Sequence, residues 1–133
     1  KEFADKIALS LGQKEADIDR ALSIQPYKEE ARAYGSTDVG DVSFVVPTVG
    51  FGTATWVPGT SAHSWQAVAA GGTTIGQKGM MVAAKTLTAT AIDLFQNKEL
   101  IEKATVEFNK RRGKDFIYKP LLGNRPPALD YRK

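Results

Sequence analysis

The chain has 133 residues, of which 42% are hydrophobic and 25% charged, an ordinary composition for a soluble globular domain and a length that can bury a core in one compact unit. No run approaches the roughly 18 apolar residues needed to cross a membrane, which excludes a spanning role. The absence of cysteine excludes disulfides and thiolate zinc sites and points to a reducing compartment, the cytoplasm.

The net charge of +3 is a property of the C-terminal tail. Residues 110–133 carry eight Lys or Arg against Asp115 and Asp130, whereas residues 1–109 carry ten against thirteen acidic side chains. The one cluster, Lys110-Arg111-Arg112-Gly113-Lys114, fits a solvated helix end, where cations meet the negative end of the dipole. It fits a nucleic-acid surface less well, because no aromatic side chain is interleaved with it. Lys1-Glu2-Phe3 opens directly into an amphipathic pattern, so the start reads as cut.

In chain order, Phe3, Ile7 and Leu11 repeat at four-residue spacing with Ala4 and Ala8 beside them, predicting a helix over residues 2–11 that stops at Gly12. A second short helix over residues 15–23 is favoured by Asp17 and Asp19 near its start, and Pro26 prevents its continuation. Residues 27–34, with Lys28, Glu29, Glu30 and Arg32, read as a connection. Between residues 38 and 46 two periods compete: Val42, Phe44 and Val46 alternate as in a strand, while Val39, Val42 and Val46 share a helical face with Ser36 or Asp38 as N-cap.

Thr53, Thr55 and Val57 then alternate with Ala54 and Trp56, predicting a strand over 53–57, and Pro58-Gly59 begins a loop over 60–64. Residues 65–74 are small and glycine-containing. Met80, Ala84, Leu87, Ala91 and Leu94 predict a long helix over 78–96, and Asn97 caps another over 98–112 that Gly113 ends. The rest is an extended, proline-containing tail. A single strand cannot bury helices on both of its faces, so the expected fold is α/β and incomplete, with helices packed on part of a mixed sheet.

Few residues carry chemistry. Gly71-Gly72-Thr73-Thr74-Ile75-Gly76-Gln77-Lys78-Gly79 lacks the Gly-Lys-Ser/Thr ending of a phosphate loop. A Ser/His/Asp triad drawn from Ser61 or Ser64, His63 and Asp38 has no nucleophile elbow. Glu29-Glu30 reads as a solvated pair. His63, the only histidine, is left on a loop beside Trp65; a lone histidine is more often a hydrogen-bonded structural residue than a ligand, and a catalytic zinc needs about three protein ligands.

Linked motifs change that reading. Gly35-Ser36-Thr37-Asp38-Val39-Gly40-Asp41-Val42-Ser43, then Ala54-Thr55-Trp56, Gly59-Thr60, His63-Ser64-Trp65-Gln66 and Lys78-Gly79-Met80, resemble the C-terminal part of the M20 family of metallopeptidases and amidohydrolases. Within it they are most similar to the p-aminobenzoyl-glutamate hydrolase subgroup, on the side of its B-type chains. The resemblance runs from about Tyr34 to the last helix, and it implies the catalytic half that follows a lid or dimerisation domain, with the N-terminal half and lid missing.

It also implies His63 as a metal ligand, Gly35, Ser36 and Thr37 as a substrate-binding segment whose amides face a carboxylate, and Asp38 as a residue that orients the loop. It tips residues 38–46 toward helix. No catalytic residue is implied within these 133 positions. In the intact protein it implies two divalent metal ions, zinc or manganese, a small N-acyl or N-aroyl amino acid substrate such as p-aminobenzoyl-glutamate, and a homodimer or hetero-oligomer, with this segment inactive alone. Ala62 departs from the pattern, standing where relatives tend to have glycine. The reading from another class is a stand-alone binding or scaffold domain.

Overall fold

The computed structural model describes residues 1–28 and 37–130. Among these, regular structure is entirely helical: α1 (Glu2–Ser10), α2 (Ile18–Leu22), α3 (Val39–Ser43), α4 (Trp65–Gly71), α5 (Thr74–Gln96) and α6 (Lys98–Arg112). None of these helices is both long and apolar enough to cross a membrane. The chain divides into two compact units, one formed by Lys1–Ala33 and Gly50–Gln96, the other by Tyr34–Val49 and Asn97–Lys133.

The first unit is built around the apolar stripe of α1. Ala4, Ile7 and Ala8 are buried together with Ala16 and Val57, and Phe3, Leu11, Ile18 and Ile75 pack against them. The end of α1 explains why the chain turns back here. Gly12 takes φ 76°, a left-handed conformation that glycine adopts without steric cost, and the Gly12 and Gln13 amides donate to the Leu9 and Ala8 carbonyls at 3.0 and 2.9 Å. These are the paired bonds of a Schellman stop. The Ala16 amide then donates to Asp5 Oδ1 at 3.2 Å, and Asp17 caps α2 by accepting from the Arg20 amide at 3.2 Å.

Residues 51–55 follow without regular secondary structure, and the expected α/β fold is not found. No strand occurs among the described residues, and residues 50–56 make no backbone–backbone hydrogen bond with any of them. Alternation of Thr53, Thr55 and Val57 with Ala54 and Trp56 specifies an extended backbone, whereas a strand is defined by a ladder to a neighbour. What this segment meets instead is a helix. A Cβ placed on Gly79 of α5 would overlap the Ala54 carbonyl oxygen and come 2.8 Å from Thr55 Cγ2. Glycine at that position lets residues 54 and 55 lie directly on the helix backbone.

The same device joins α4 to α5. A Cβ on Gly76 would meet the Gly71 carbonyl oxygen at 2.5 Å, while Ala67 and Ala70 of α4 are buried. Thr73 Oγ1 donates to the Ala70 carbonyl at 2.6 Å and accepts from the Ile75 amide at 3.3 Å, which ends one helix and starts the next. Beyond Gly79 no residue of α5 is buried: Met80, Leu87, Ile92 and Phe95 are exposed, Phe95 to 93%.

In the second unit, residues 39–43 are helical, so the 3.6-residue period prevails over the alternating one. Phe44, which follows α3, stacks on Phe116 and Tyr118 with ring centroids 5.3 and 5.8 Å away. The Tyr118 hydroxyl donates to Asp41 Oδ1 at 2.6 Å. Helix α6 is capped by Asn97, which accepts from the Glu99 amide at 3.1 Å. Its surface carries the i,i+4 pairs Lys98–Glu102, Glu99–Lys103 and Glu107–Arg111, and it stops at Gly113, φ 79°. No residue of α6 is buried.

Candidate functional site

His63 sits on a short loop whose two ends are fixed. On the upstream side Val57 is 2% exposed within the core, and a turn closes behind it as the Thr60 amide donates to the Val57 carbonyl at 3.1 Å. Gly59 takes φ 90° there, and a side chain on it would overlap the carboxamide of Gln13. On the downstream side Ser64 is the N-cap of α4. Its hydroxyl accepts from the Ala67 amide at 3.2 Å and donates to the Ser61 carbonyl at 2.7 Å. The loop is therefore short and held at Val57, Ser61 and Ser64.

His63 itself has φ 58°, the one non-glycine positive φ among the described residues. Left-handed backbone costs an L-residue about 1–2 kcal/mol, less where a side chain such as histidine tolerates it. This conformation leaves the residue exposed. Its imidazole makes no hydrogen bond or ion pair with any described residue. The commoner role of a lone histidine, holding structure through a buried hydrogen bond, is not the one His63 performs among these residues.

Thr37 and Asp38 belong to the other unit. Thr37 Oγ1 accepts from the Val39 amide at 3.3 Å. Asp38 occupies the N-cap position of α3, yet its side chain makes no capping bond; its backbone carbonyl accepts from the Asp41 and Val42 amides at 3.1 and 3.4 Å. Thr37 thus supplies a local capping bond that the Asp38 side chain does not, and the Asp38 carboxylate has no partner among the described residues. Gly35 and Ser36, with Glu29 and Glu30, lie outside the described residues.

The donor set bears directly on the metal. Among the described residues no three His, Cys, Asp or Glu side chains gather where they could hold an ion. A single imidazole with both ring nitrogens unengaged fits one coordination position, and a catalytic ion needs about three from protein. The described residues fit one ligand of a metal centre and not a whole centre.

One interaction near the candidate residues was hidden from sequence. The bond between Tyr118 and Asp41, 77 positions apart, fastens the tail to α3, three residues beyond Asp38. The hydrogen bond to Asp41, with partial desolvation and the carboxylate's charge, raises the Tyr118 hydroxyl above its ordinary pKa of 10. No periodicity links these positions. The only signal was the Phe-Ile-Tyr triplet at 116–118.

No protein-family model matches the chain, and no solved structure does. The chain is 37% identical over 93 residues to the B chain component of p-aminobenzoyl-glutamate hydrolase from Escherichia coli (strain K12). The aligned stretch is 70% of this chain and 19% of that protein. The resemblance carried by the Ser-Thr-Asp-Val-Gly-Asp-Val-Ser and His-Ser-Trp motifs is therefore shown, to a relative of which this chain spans about a fifth.

Proposed function

We propose that the chain is a segment of a metal-dependent amidohydrolase of the M20 type that cleaves the amide bond of an N-acyl or N-aroyl amino acid, p-aminobenzoyl-glutamate being the model substrate. The observation that carries this reading is His63: an exposed, unpartnered imidazole on a left-handed residue of a loop fixed at both ends. The 37% identity to one component of a hydrolase supports it.

In the intact protein His63 would supply one ligand to a pair of divalent ions, zinc or manganese, whose other ligands come from outside these 133 residues. Such ions, when bound, supply Lewis-acid polarisation of the amide carbonyl and a more acidic water. The chain's own contributions are positional. The loop between Val57 and Ser64 presents the imidazole with few remaining degrees of freedom, which reduces the entropy lost on ligation. Gly35, Ser36 and Thr37 would face the carboxylate of the amino acid product, and Asp38 would orient the segment that carries them. The relative is named as a subunit, which favours assembly with a second kind of chain, and a homodimer is the other arrangement.

The test is hydrolysis of p-aminobenzoyl-glutamate followed by release of glutamate. The intact protein should cleave it and lose activity to a chelator, regaining it with zinc or manganese, while the 133-residue chain alone should not cleave it. Metal-dependent turnover by the isolated chain would overturn the assignment of the remaining ligands to another segment. The lack of a gathered ligand set among the described residues favours, as the second reading, a binding or scaffold domain without chemistry. An intact protein that neither retains metal nor cleaves any N-acyl amino acid would select it.

A further inference from the structure

Among the described residues, the hydrogen bonds of residues 37–48 run within that segment with one exception. The Val39 amide donates to Thr37 Oγ1, the Asp41 and Val42 amides to the Asp38 carbonyl, and Ser43 Oγ to the Gly40 carbonyl. The exception is the Tyr118 hydroxyl, which donates to Asp41 Oδ1 at 2.6 Å. Helix α3 has five residues, none of them buried, too few to hold a helix in place without contacts from outside it. We propose that Tyr118 is a positioning residue for substrate: by holding Asp41 it fixes the orientation of α3 and of the Thr37–Asp38 turn that precedes it. The proposal rests on the reading in which the segment ending in Thr37 faces the substrate's carboxylate.

The clasp is built from both sides. On the side of the tail, α6 ends at Gly113, whose amide donates to the Asn109 carbonyl at 3.1 Å and whose φ is 79°, so the chain leaves the helix in a set direction toward Phe116 and Tyr118. On the side of α3, Phe44 stacks on the rings of both. Asp41 and Phe44 are three residues apart and share one helical face. Attachment at two points on that face sets the place of α3 and also its rotation about its own axis.

From Tyr118 to Thr37 the path is short. The Asp41 amide donates to the Asp38 carbonyl at 3.1 Å, and the Val39 amide to Thr37 Oγ1 at 3.3 Å. All of these residues belong to one compact unit. Removing the hydroxyl leaves the ring stack as the remaining hold, about which α3 turns more freely. A carboxylate then meets donors that no longer occupy one position, which weakens its binding in the ground state and the transition state alike.

The experiment uses the intact protein, with p-aminobenzoyl-glutamate as substrate and Tyr118→Phe, Asp41→Ala and the double variant compared with wild type. Tyr118→Phe should raise KM by about three- to tenfold with kcat within about twofold, the pattern of lost uniform binding. Asp41→Ala should do the same, and the double variant should be no worse than either single one, because both remove one bond. Hydrogen exchange of residues 39–44 should quicken in Tyr118→Phe, a readout that needs no turnover, while the far-ultraviolet circular dichroism stays that of wild type. An unchanged KM, a fall in kcat at constant KM, effects that multiply in the double variant, or unchanged exchange over residues 39–44 would each overturn the proposal while wild type remains active. A wild type that cleaves no N-acyl amino acid would overturn the reading on which the proposal rests, and the proposal with it.

Discussion

The His63 loop and the turn at Thr37–Asp38 carry motifs of equal clarity in sequence, yet the structure supports them very differently. The first hangs between a buried valine and a capped helix, and the segment leading to it is pressed at Ala54 and Thr55 against Gly79 of α5. The second precedes a five-residue helix with no buried residue, held from outside by an aromatic stack and one tyrosine bond. The difference teaches that a motif specifies side-chain chemistry, while the precision with which that chemistry is presented depends on packing several residues away.

That contrast can be broken at graded cost. The largest effect is expected at Gly79→Ala, where the new methyl meets the Ala54 carbonyl, a group that cannot move without displacing the whole segment. About 3 kcal/mol of unfolding free energy should be lost, measured by urea denaturation; a loss below half that would show that the segment is not seated on α5. Val57→Ala should remove about 2 kcal/mol by emptying its buried site. Ser64→Ala deletes the cap of α4 and should lower stability by about 1 kcal/mol, with the His63 amide resonance broadening or shifting as the loop loses its downstream anchor.

The smallest effect belongs to the other region. Tyr118→Phe keeps the ring stack and removes only the bond to Asp41, so a slight fall in melting temperature is expected at neutral pH. Because the folded-state pKa of Tyr118 is raised, the stability this bond contributes is present below about pH 10, the ordinary tyrosine value, and is lost as pH rises through the higher folded value. Wild type and Tyr118→Phe should therefore converge in melting temperature above that window. A gap that persists into strong alkali would mean that the hydroxyl acts through something other than the Asp41 bond.

Helices α1 and α6 were legible in the sequence, because four-residue spacing, Asn97 and the glycines at 12 and 113 mark both period and stop. The core of α5 was legible too, but its first turn was not. Gly76 and Gly79 weaken helix propensity and mimic a loop, whereas in the fold they are the contact surface, and the missing side chains are what permit α4 and residues 54–55 to approach. The strand at 53–57 failed for a complementary reason: period-two alternation reports extended backbone and is silent about a partner.

His63 was legible as a candidate from its motif, but not its left-handed backbone, which depends on the anchors at Val57 and Ser64. The clasp of Tyr118 on Asp41 could not be read from any local pattern. The long helices show the limit most plainly: the apolar positions of α5 were placed correctly on a helix, yet Met80, Leu87 and Leu94 of that stripe are exposed. An apolar stripe states what a helix is able to bury and does not supply what buries it.

The central claim, that His63 is placed to bind metal and not to hold the loop, is tested most directly by His63→Gly in the intact protein. Glycine adopts φ 58° without the steric cost borne by an L-residue, so the substitution removes the imidazole while easing the backbone. Metal content by mass spectrometry and melting temperature in the presence of chelator are read together. The expected result is a loss of at least one bound ion per protomer with an unchanged or slightly raised melting temperature. Full metal content, or a marked fall in the metal-free melting temperature, would contradict it and return His63 to a structural role.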